Sequence, residues 1–198
     1  TLGSPVRQRT ASTDDFDYQV ERHNDSWCDH IARTNVTAAL LAWLQPRSVL
    51  DPACGDGSIV LLTDLTSHID RIVLSDISKP NCVYLANYGV AHIEVHCQSI
   101  EDALNTYEEF DAVVLTETLE HLPDPDAILR QARIVGARLI ASSPEMRPGQ
   151  HDTNPEHLWE FDGEGYHEML TGAGWSVVQK THLAFPGLVY DFGIWVCR

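Results

Sequence analysis

The run Ser48-Val49-Leu50-Asp51-Pro52-Ala53-Cys54-Gly55-Asp56-Gly57-Ser58 constrains this chain more than any other stretch. A short apolar strand stops at an acidic residue and opens into a loop of small residues, after which Ile59-Val60-Leu61-Leu62 reads as a helix start. Gly55 and Gly57 carry no β-carbon to hold a ligand off the backbone, and the amides of a first helical turn face whatever sits in the loop. The segment therefore predicts a strand, turn and helix that cradle a nucleotide. A dinucleotide fingerprint needs Gly-x-Gly-x-x-Gly. Here the order is Asp-x-Ala-x-Gly-x-Gly, and its last glycine comes too early for a pyrophosphate.

Around this loop the hydrophobic pattern alternates between two periods. Trp27, Ile31, Ala32, Val36, Ala39, Leu40, Trp43 and Leu44 recur at three and four, which predicts a helix from Asp25 to Leu44 packed on the sheet. The chain then reads helix 58–66, strand 71–76, a helix after Pro80, strand 92–96, helix 99–105 and strand 110–116. Asp124 followed by Pro125 is an N-cap with proline in the first turn, so a helix is expected over 125–135. A strand at 137–143 and a helix at 162–172 come next, and strands 175–185 and 190–197 joined by Pro186-Gly187 form a closing antiparallel hairpin. Strands and helices in alternation mean a parallel α/β sheet. The polar stretch 144–155 is long for a connection and is expected to be a binding element or lid. At 198 residues the chain has room for one core. Residues 1–14 are expected to be disordered and 15–198 to form a single domain.

Two further landmarks carry a family resemblance. Arg71-Ile72-Val73-Leu74-Ser75-Asp76 is a second strand ending in an acid, where a carboxylate would hold ribose hydroxyls. Phe110 to Thr116 is a third apolar strand, running into Glu117-Thr118-Leu119-Glu120-His121-Leu122-Pro123-Asp124-Pro125. On these motifs and the glycine loop, most of the chain resembles the class I S-adenosylmethionine-dependent methyltransferases. The resemblance implies an α/β, Rossmann-like fold, with a seven-stranded, mostly parallel sheet that has one antiparallel strand and helices on both faces. It also implies S-adenosyl-L-methionine as cofactor. Gly55 and Gly57 would admit its amino acid tail, with Ala53 in place of the usual first glycine, and Asp51 would accept from the tail ammonium. Asp76 would take the ribose diol and Ile77 would pack on the adenine. Gln98-Ser99-Ile100 stands where many relatives carry an aspartate that reads the adenine amino group. Thr116 closes the set at the strand end, and Arg33 and His30 on the first long helix would reach the tail carboxylate.

Methyl transfer is an in-line displacement, so the residues facing the methyl group must position the acceptor and take its proton. Glu117, Glu120 and His121 are spaced i, i+3, i+4, which on a helical turn puts all three on one face. His121 is the expected base, with Glu117 and Glu120 orienting it. The small-RNA terminal 2′-O-methyltransferases carry a similar Glu-x-x-Glu-His turn and a later His, and use them to hold a divalent metal. Ubiquinone-biosynthesis O-methyltransferases also show the turn. Glu117, Glu120, His121 and His157 match that metal set by type, and mixed Glu and His donors suit manganese, iron, cobalt or zinc better than magnesium. Among the other histidines, His151 with Asp152 in the polar loop stands out.

Composition bounds the acceptor. Thirteen Lys and Arg against 29 Asp and Glu leave a net charge of −16, which opposes the counterion release that drives nucleic-acid binding. A small-molecule acceptor is therefore expected, ahead of a metal-dependent RNA ribose methyltransferase or a non-catalytic cofactor-binding scaffold. The Asp-Pro-Ala-Cys-Gly loop also resembles that of DNA amino-methyltransferases, but Thr116-Glu117-Thr118-Leu119 lacks their Pro-Pro-aromatic grip on a flipped base. Cys28, Cys54, Cys82, Cys97 and Cys197 are scattered and contain no Cys-x-x-Cys pair, which reads as reduced thiols. No membrane span and no signal segment is expected, and the location implied is cytoplasmic. Oligomeric state has no signature in the sequence.

Overall fold

The structure, a computed structural model, describes residues 7–9, 28–67 and 69–198. Its centre is four parallel strands: β2 (Ser48–Asp51), β3 (Arg71–Asp76), β4 (Ile93–Cys97) and β5 (Ala112–Thr116). Period-two alternation along them sends side chains to two separate cores. Leu50, Val73, Val113 and Leu115 enter one core, shared with α4 (Ile100–Thr106), α5 (Pro125–Val135) and α6 (Gly163–Gly172). Val49, Ile72, Leu74, Ala112 and Val114 enter the other, under α1 (Cys28–Leu44), α2 (Ser58–Thr66) and α3 (Lys79–Ala86). β2, β3 and β5 are thus buried on both sides, as their apolar residues require, while the edge strand β4 is partly exposed.

With β6 (Leu139–Met146), β8 (Val177–Leu183) and β9 (Tyr190–Cys197), the strands run in the order β4-β3-β2-β5-β6-β9-β8, and β9 is antiparallel to both of its neighbours. This is the expected seven-stranded sheet with one reversed strand. Two three-residue strands extend it. β7 (Trp159–Phe161) joins β6 through Glu145 and Phe161, and β1 (Arg7–Arg9) pairs antiparallel with β7. A strand at 7–9 departs from the disorder expected over 1–14, whose remaining residues lie outside the described ones, as do Asp25 to Trp27 of the expected first helix.

The largest boundary shift is in β6, expected to stop at Ser143 and found to continue to Met146 with all eight residues buried. Pro144 punctuates the sequence, yet β5 has already ended opposite Ser142 while β9 goes on pairing through Met146. The ladder with β9 carries the strand past the proline. The polar loop therefore begins at Arg147. No helix among the described residues is long and apolar enough to cross a membrane.

Candidate active site

The glycine loop is built by the strand ends on either side of it. The Cys54 amide donates to Ser75 O at 2.9 Å, and the Gly55 amide donates to the Asp76 carboxylate at 2.7 Å. The other oxygen of Asp76 accepts from the Ser78 amide, also at 2.7 Å. Gly55 and Gly57 both take left-handed backbone, φ 56° and 70°, which only glycine adopts without strain. At Gly57 a β-carbon would also stand 2.9 Å from Leu85 Cδ2. Asp51 is buried at the end of β2, and Ile77 beside Asp76 is 60% exposed. Gln98 is half-buried at the end of β4, whereas Ser99 accepts from the Asp102 amide as the cap of α4, and Ile100 is buried in the core. The last two thus serve the fold first.

Arg33 projects from α1 beside the same loop. It is 2% exposed. Its Nε lies 3.7 Å from Glu117 Oε1, and its guanidinium sits 5.5 Å from the centre of the Phe192 ring. Nε and Nη1 have no hydrogen-bond partner. A buried cation with unsatisfied donors is expensive unless an acceptor completes it. Arg33 and His30 line a cavity of about 220 Å³ with Ser58 and Asp56, at the start of α2.

The Glu-x-x-Glu-His segment departs from its expected shape. Glu117 is a non-glycine residue with φ 52°, and the turn that follows is a single 3-10 turn over Leu119–His121. Glu117 lies before that turn on left-handed backbone, so the i, i+3, i+4 spacing of a continuous helix does not hold and Glu117 leaves the face of Glu120 and His121. Glu117 instead accepts from Ser142 Oγ at 2.7 Å and faces Arg33. It is thereby separated from the metal set: Glu120, His121 and His157 bring three ligand atoms within 4.8 Å of one another, and Glu117 is not part of that group.

Those three residues are held by the polar loop. His121 Nδ1 donates to Glu156 O at 3.1 Å, the Leu158 amide donates to Glu120 O at 2.7 Å, and the two imidazoles meet edge to face at 4.6 Å. His157 Nδ1 pairs with Asp152 Oδ2 at 2.5 Å. Glu160, 3% exposed, accepts from the Asp152 amide at 3.0 Å and pairs with His151 Nδ1 at 3.1 Å. In this structure the segment, expected to be a binding element or lid, is fastened at these points. Burial, and then the charge of Glu117, pushes the Glu120 carboxyl up to about 8. Neither of its oxygens has a hydrogen-bond partner. Burial and the neighbouring His157 pull His121 down to about 4. For His157 burial also acts downward, but the Asp152 hydrogen bond and the Glu120 charge outweigh it and the imidazole is raised.

Several contributors have no motif in the sequence: Ser142, Asn154, Glu160, Tyr190 and Phe192. Tyr190 donates to Asp29 at 3.3 Å, and burial followed by the Asp29 charge raises its hydroxyl to about 12. Thr116 is half-buried at the end of β5, and Ala53, in the loop, is half-buried against the core. Trp159 gives its indole N–H to Leu122 O at 2.8 Å and packs against the core.

Comparison with known proteins agrees with this fold. A family profile described as a methyltransferase domain matches residues 20–180. The ubiquinone biosynthesis O-methyltransferase of Xanthomonas oryzae pv. oryzae is 35% identical over 108 residues, 50% of this chain and 44% of that enzyme. The chain thus spans less than half the length of that relative. The 1,6-didemethyltoxoflavin-N1-methyltransferase of Burkholderia thailandensis, solved with 1,6-didemethyltoxoflavin and S-adenosylhomocysteine, superposes with a TM-score of 0.71 at 19% identity, over 88% of this chain and 80% of that one. Magnesium protoporphyrin IX methyltransferase of Synechocystis PCC 6803 with bound S-adenosylhomocysteine gives 0.67 at 17% identity, over 92% and 90%. At these identities the likeness is one of fold.

Proposed function

The chain belongs to the methyltransferase-domain family, and on that footing we propose that it transfers the methyl group of S-adenosylmethionine to an oxygen or nitrogen of a small molecule. The observation that carries the reading is the Asp76 carboxylate, held between the Gly55 and Ser78 amides at the mouth of a left-handed glycine loop. A carboxylate there accepts both ribose hydroxyls, and Ile77 next to it offers an apolar surface to the adenine. The glycines admit the amino acid tail, Asp51 takes its ammonium, and Arg33 gives its carboxylate the two donors that the protein leaves unused. Glu117, fixed by Ser142 and facing Arg33, bounds the methyl position together with Thr116. Gln98 borders the adenine.

On the acceptor side His121 is the base. Its Nδ1–H is committed to Glu156 O, so the proton goes to Nε2. An imidazole held near 4 is neutral at physiological pH but only weakly basic, which suits an acceptor that ionises readily, such as a phenol. The net charge of −16 and the small-molecule methyltransferases among the relatives support a small acceptor over RNA.

A second reading, a metal at Glu120, His121 and His157, is favoured by one observation: Glu120 is buried with both oxygens unpartnered beside two imidazoles. The donor set fits a divalent transition ion, and the carboxylate on His157 Nδ1 is the outer support such a ligand usually has. A bound cation would supply Lewis-acid polarisation of an acceptor oxygen.

Titration calorimetry with S-adenosylhomocysteine tests the main reading. Wild-type protein is expected to bind, and Asp76→Ala to bind at least about tenfold more weakly. Unchanged affinity in the variant removes Asp76 from the ribose, and no binding by the wild type removes the cofactor. For the second reading, elemental analysis after dialysis against manganese or zinc is expected to find metal in the wild type and not in Glu120→Ala.

A further inference from the structure

The turn that carries Asp76 and Ile77 rests on two thiols from different elements. Cys82, on α3, is buried, and its Sγ lies 3.3 Å from Asp76 O and 3.5 Å from His96 O. Cys97, the exposed last residue of β4, is the strand partner of Asp76, and its Sγ lies 3.8 Å from Ile77 O. The two side chains thus reach adjacent carbonyls of one turn, one from α3 and one from the end of β4. Burial raises the Cys82 thiol to about 11 and raises Cys54 and Cys197 as well; of these four thiols only Cys97 is exposed, and so open to an oxidant from solution.

We propose that Cys82 and Cys97 are a site of reversible oxidation, a disulfide whose formation weakens the cofactor site carried by the Asp76–Ile77 turn. The oxidant class is a peroxide. The exposed Cys97 sulfur attacks one peroxide oxygen and the O–O bond breaks. A sulfenic acid forms on Cys97, and the other oxygen leaves as water with the thiol proton. The Cys82 sulfur then attacks the Cys97 sulfur, the S–O bond breaks, and a second water departs with the Cys82 proton. In sum two thiols lose two hydrogens and one peroxide becomes two waters. A thioredoxin-class dithiol reverses the change by exchange.

The consequence for the site follows from what the sulfurs do when reduced. Each has a backbone carbonyl of the turn as its acceptor, one at Asp76 and one at Ile77. In a disulfide neither sulfur has a proton to donate, and α3 is drawn toward the end of β4. The turn then loses both thiol contacts; the Gln98 amide still holds Asp76 O and the Gly55 and Ser78 amides still hold the carboxylate, so the change falls on Ile77 and the apolar surface it offers. Linkage makes the effect reciprocal: a cofactor that prefers the reduced turn protects the thiols by the same factor.

This inference rests on the proposal that Asp76 and Ile77 hold the cofactor, and the experiment separates the two. Wild-type protein is treated with hydrogen peroxide and mapped by non-reducing peptide mass spectrometry. The expected product has lost two hydrogens and links the peptides of Cys82 and Cys97; gain of oxygen at Cys97 without the link overturns the proposal. Calorimetry with S-adenosylhomocysteine is then run on reduced and oxidised samples. Affinity is expected to fall about tenfold on oxidation, equivalent to about 30 mV in the potential of the pair, and to recover with a dithiol. Cys97→Ser should bind equally before and after peroxide. A link that forms without changing affinity, or the same loss in Cys97→Ser, overturns the switch. Absence of binding in the reduced wild type instead overturns the cofactor reading, while the linked peptide still reports on the thiols.

Discussion

The Nδ1 of His157 stands 2.5 Å from Oδ2 of Asp152, with both side chains almost sealed from water, 10% and 8% exposed. Burial alone would disfavour both charges. The pair overcomes it together, with the imidazole raised above 6.5 and the carboxyl lowered below 3.8. On the far side of the ring, Asn154 Nδ2 lies 3.0 Å from Nε2. That contact is a hydrogen bond only while Nε2 keeps its lone pair, so protonation of His157 releases Asn154.

A raised imidazole stabilises the fold below its unfolded value and ceases to do so as pH climbs through the folded one. A lowered carboxyl stabilises above its unfolded value and ceases as pH drops through the folded one. Both contributions are therefore complete between 3.8 and 6.5, the two unperturbed values. Asp152→Asn is expected to cost roughly 2 kcal/mol in that window and less at pH 9. Thermal melts across pH 4 to pH 9 would decide it, and a cost independent of pH would mean the pair is not ionic.

For Glu120 the sign is opposite. Its carboxyl is raised from 4.5 to about 8, so the folded state keeps a proton that the unfolded chain gives up, and stability declines as pH rises between those values. Glu120→Gln removes the decline. In chelator the variant is expected to equal the wild type near pH 5 and exceed it at pH 9, by on the order of a few kcal/mol. Manganese or zinc should reverse the ranking by stabilising only the wild type. Denaturant titrations with and without metal provide the check.

Arg33→Leu bears on both binding and folding. The substitution removes a buried cation whose Nε and Nη1 have no hydrogen-bond partner, but it also leaves Glu117, 3.7 Å away, without its counter-charge, so stability is expected to fall by roughly 3 kcal/mol unless Glu117→Gln is made with it. Affinity for S-adenosylhomocysteine should drop at least about tenfold. Arg33→Lys should not restore it, because a point charge lacks the planar fork. Paired melting and calorimetry measure the two effects independently.

Gly193→Ala tests the junction of β6 and β9. A β-carbon there would meet Glu145 Oε1 at 1.8 Å and its Cδ at 2.4 Å. Glu145 cannot easily retreat, being 6% exposed and bound to Lys180 Nζ at 2.8 Å. A loss of about 3 kcal/mol is expected. The double variant with Glu145→Ala should lose less than the sum of the single changes, measured by urea denaturation.

The central sheet was legible because β2, β3 and β5 are apolar runs between polar punctuation and β4, at the sheet edge, alternates Ile93-Glu94-Val95-His96, and alternation then sorts the residues into two cores. Legibility failed where a tertiary neighbour overrode a local cue. Pro144 marks an end in the sequence, but β9 carries the strand past it. Glu117 looks like the first member of a helical trio, and nothing in its residue type announces a left-handed backbone stabilised by Ser142 from the adjacent strand. The alternating Asp152-x-Asn154-x-Glu156 was visible as a polar loop. Its two successive side-chain turns, Asp152 to the Asn154 amide at 2.8 Å and Asn154 to the Glu156 amide at 3.0 Å, were not. They shape the loop that brings His157 to Glu120, some forty residues away in sequence, a meeting that residue types hint at but only the closed fold produces.

The Asp76 carboxylate holds the Gly55 amide with one oxygen and the Ser78 amide with the other. Folding itself thus fixes the loop against the strand end, before any ligand arrives. A molecule entering there has little chain entropy to remove, and its contacts go almost undiminished into affinity. The same economy makes the position intolerant, since a change at Asp76 loosens the cradle and, on the proposed function, removes the ribose contact in one step.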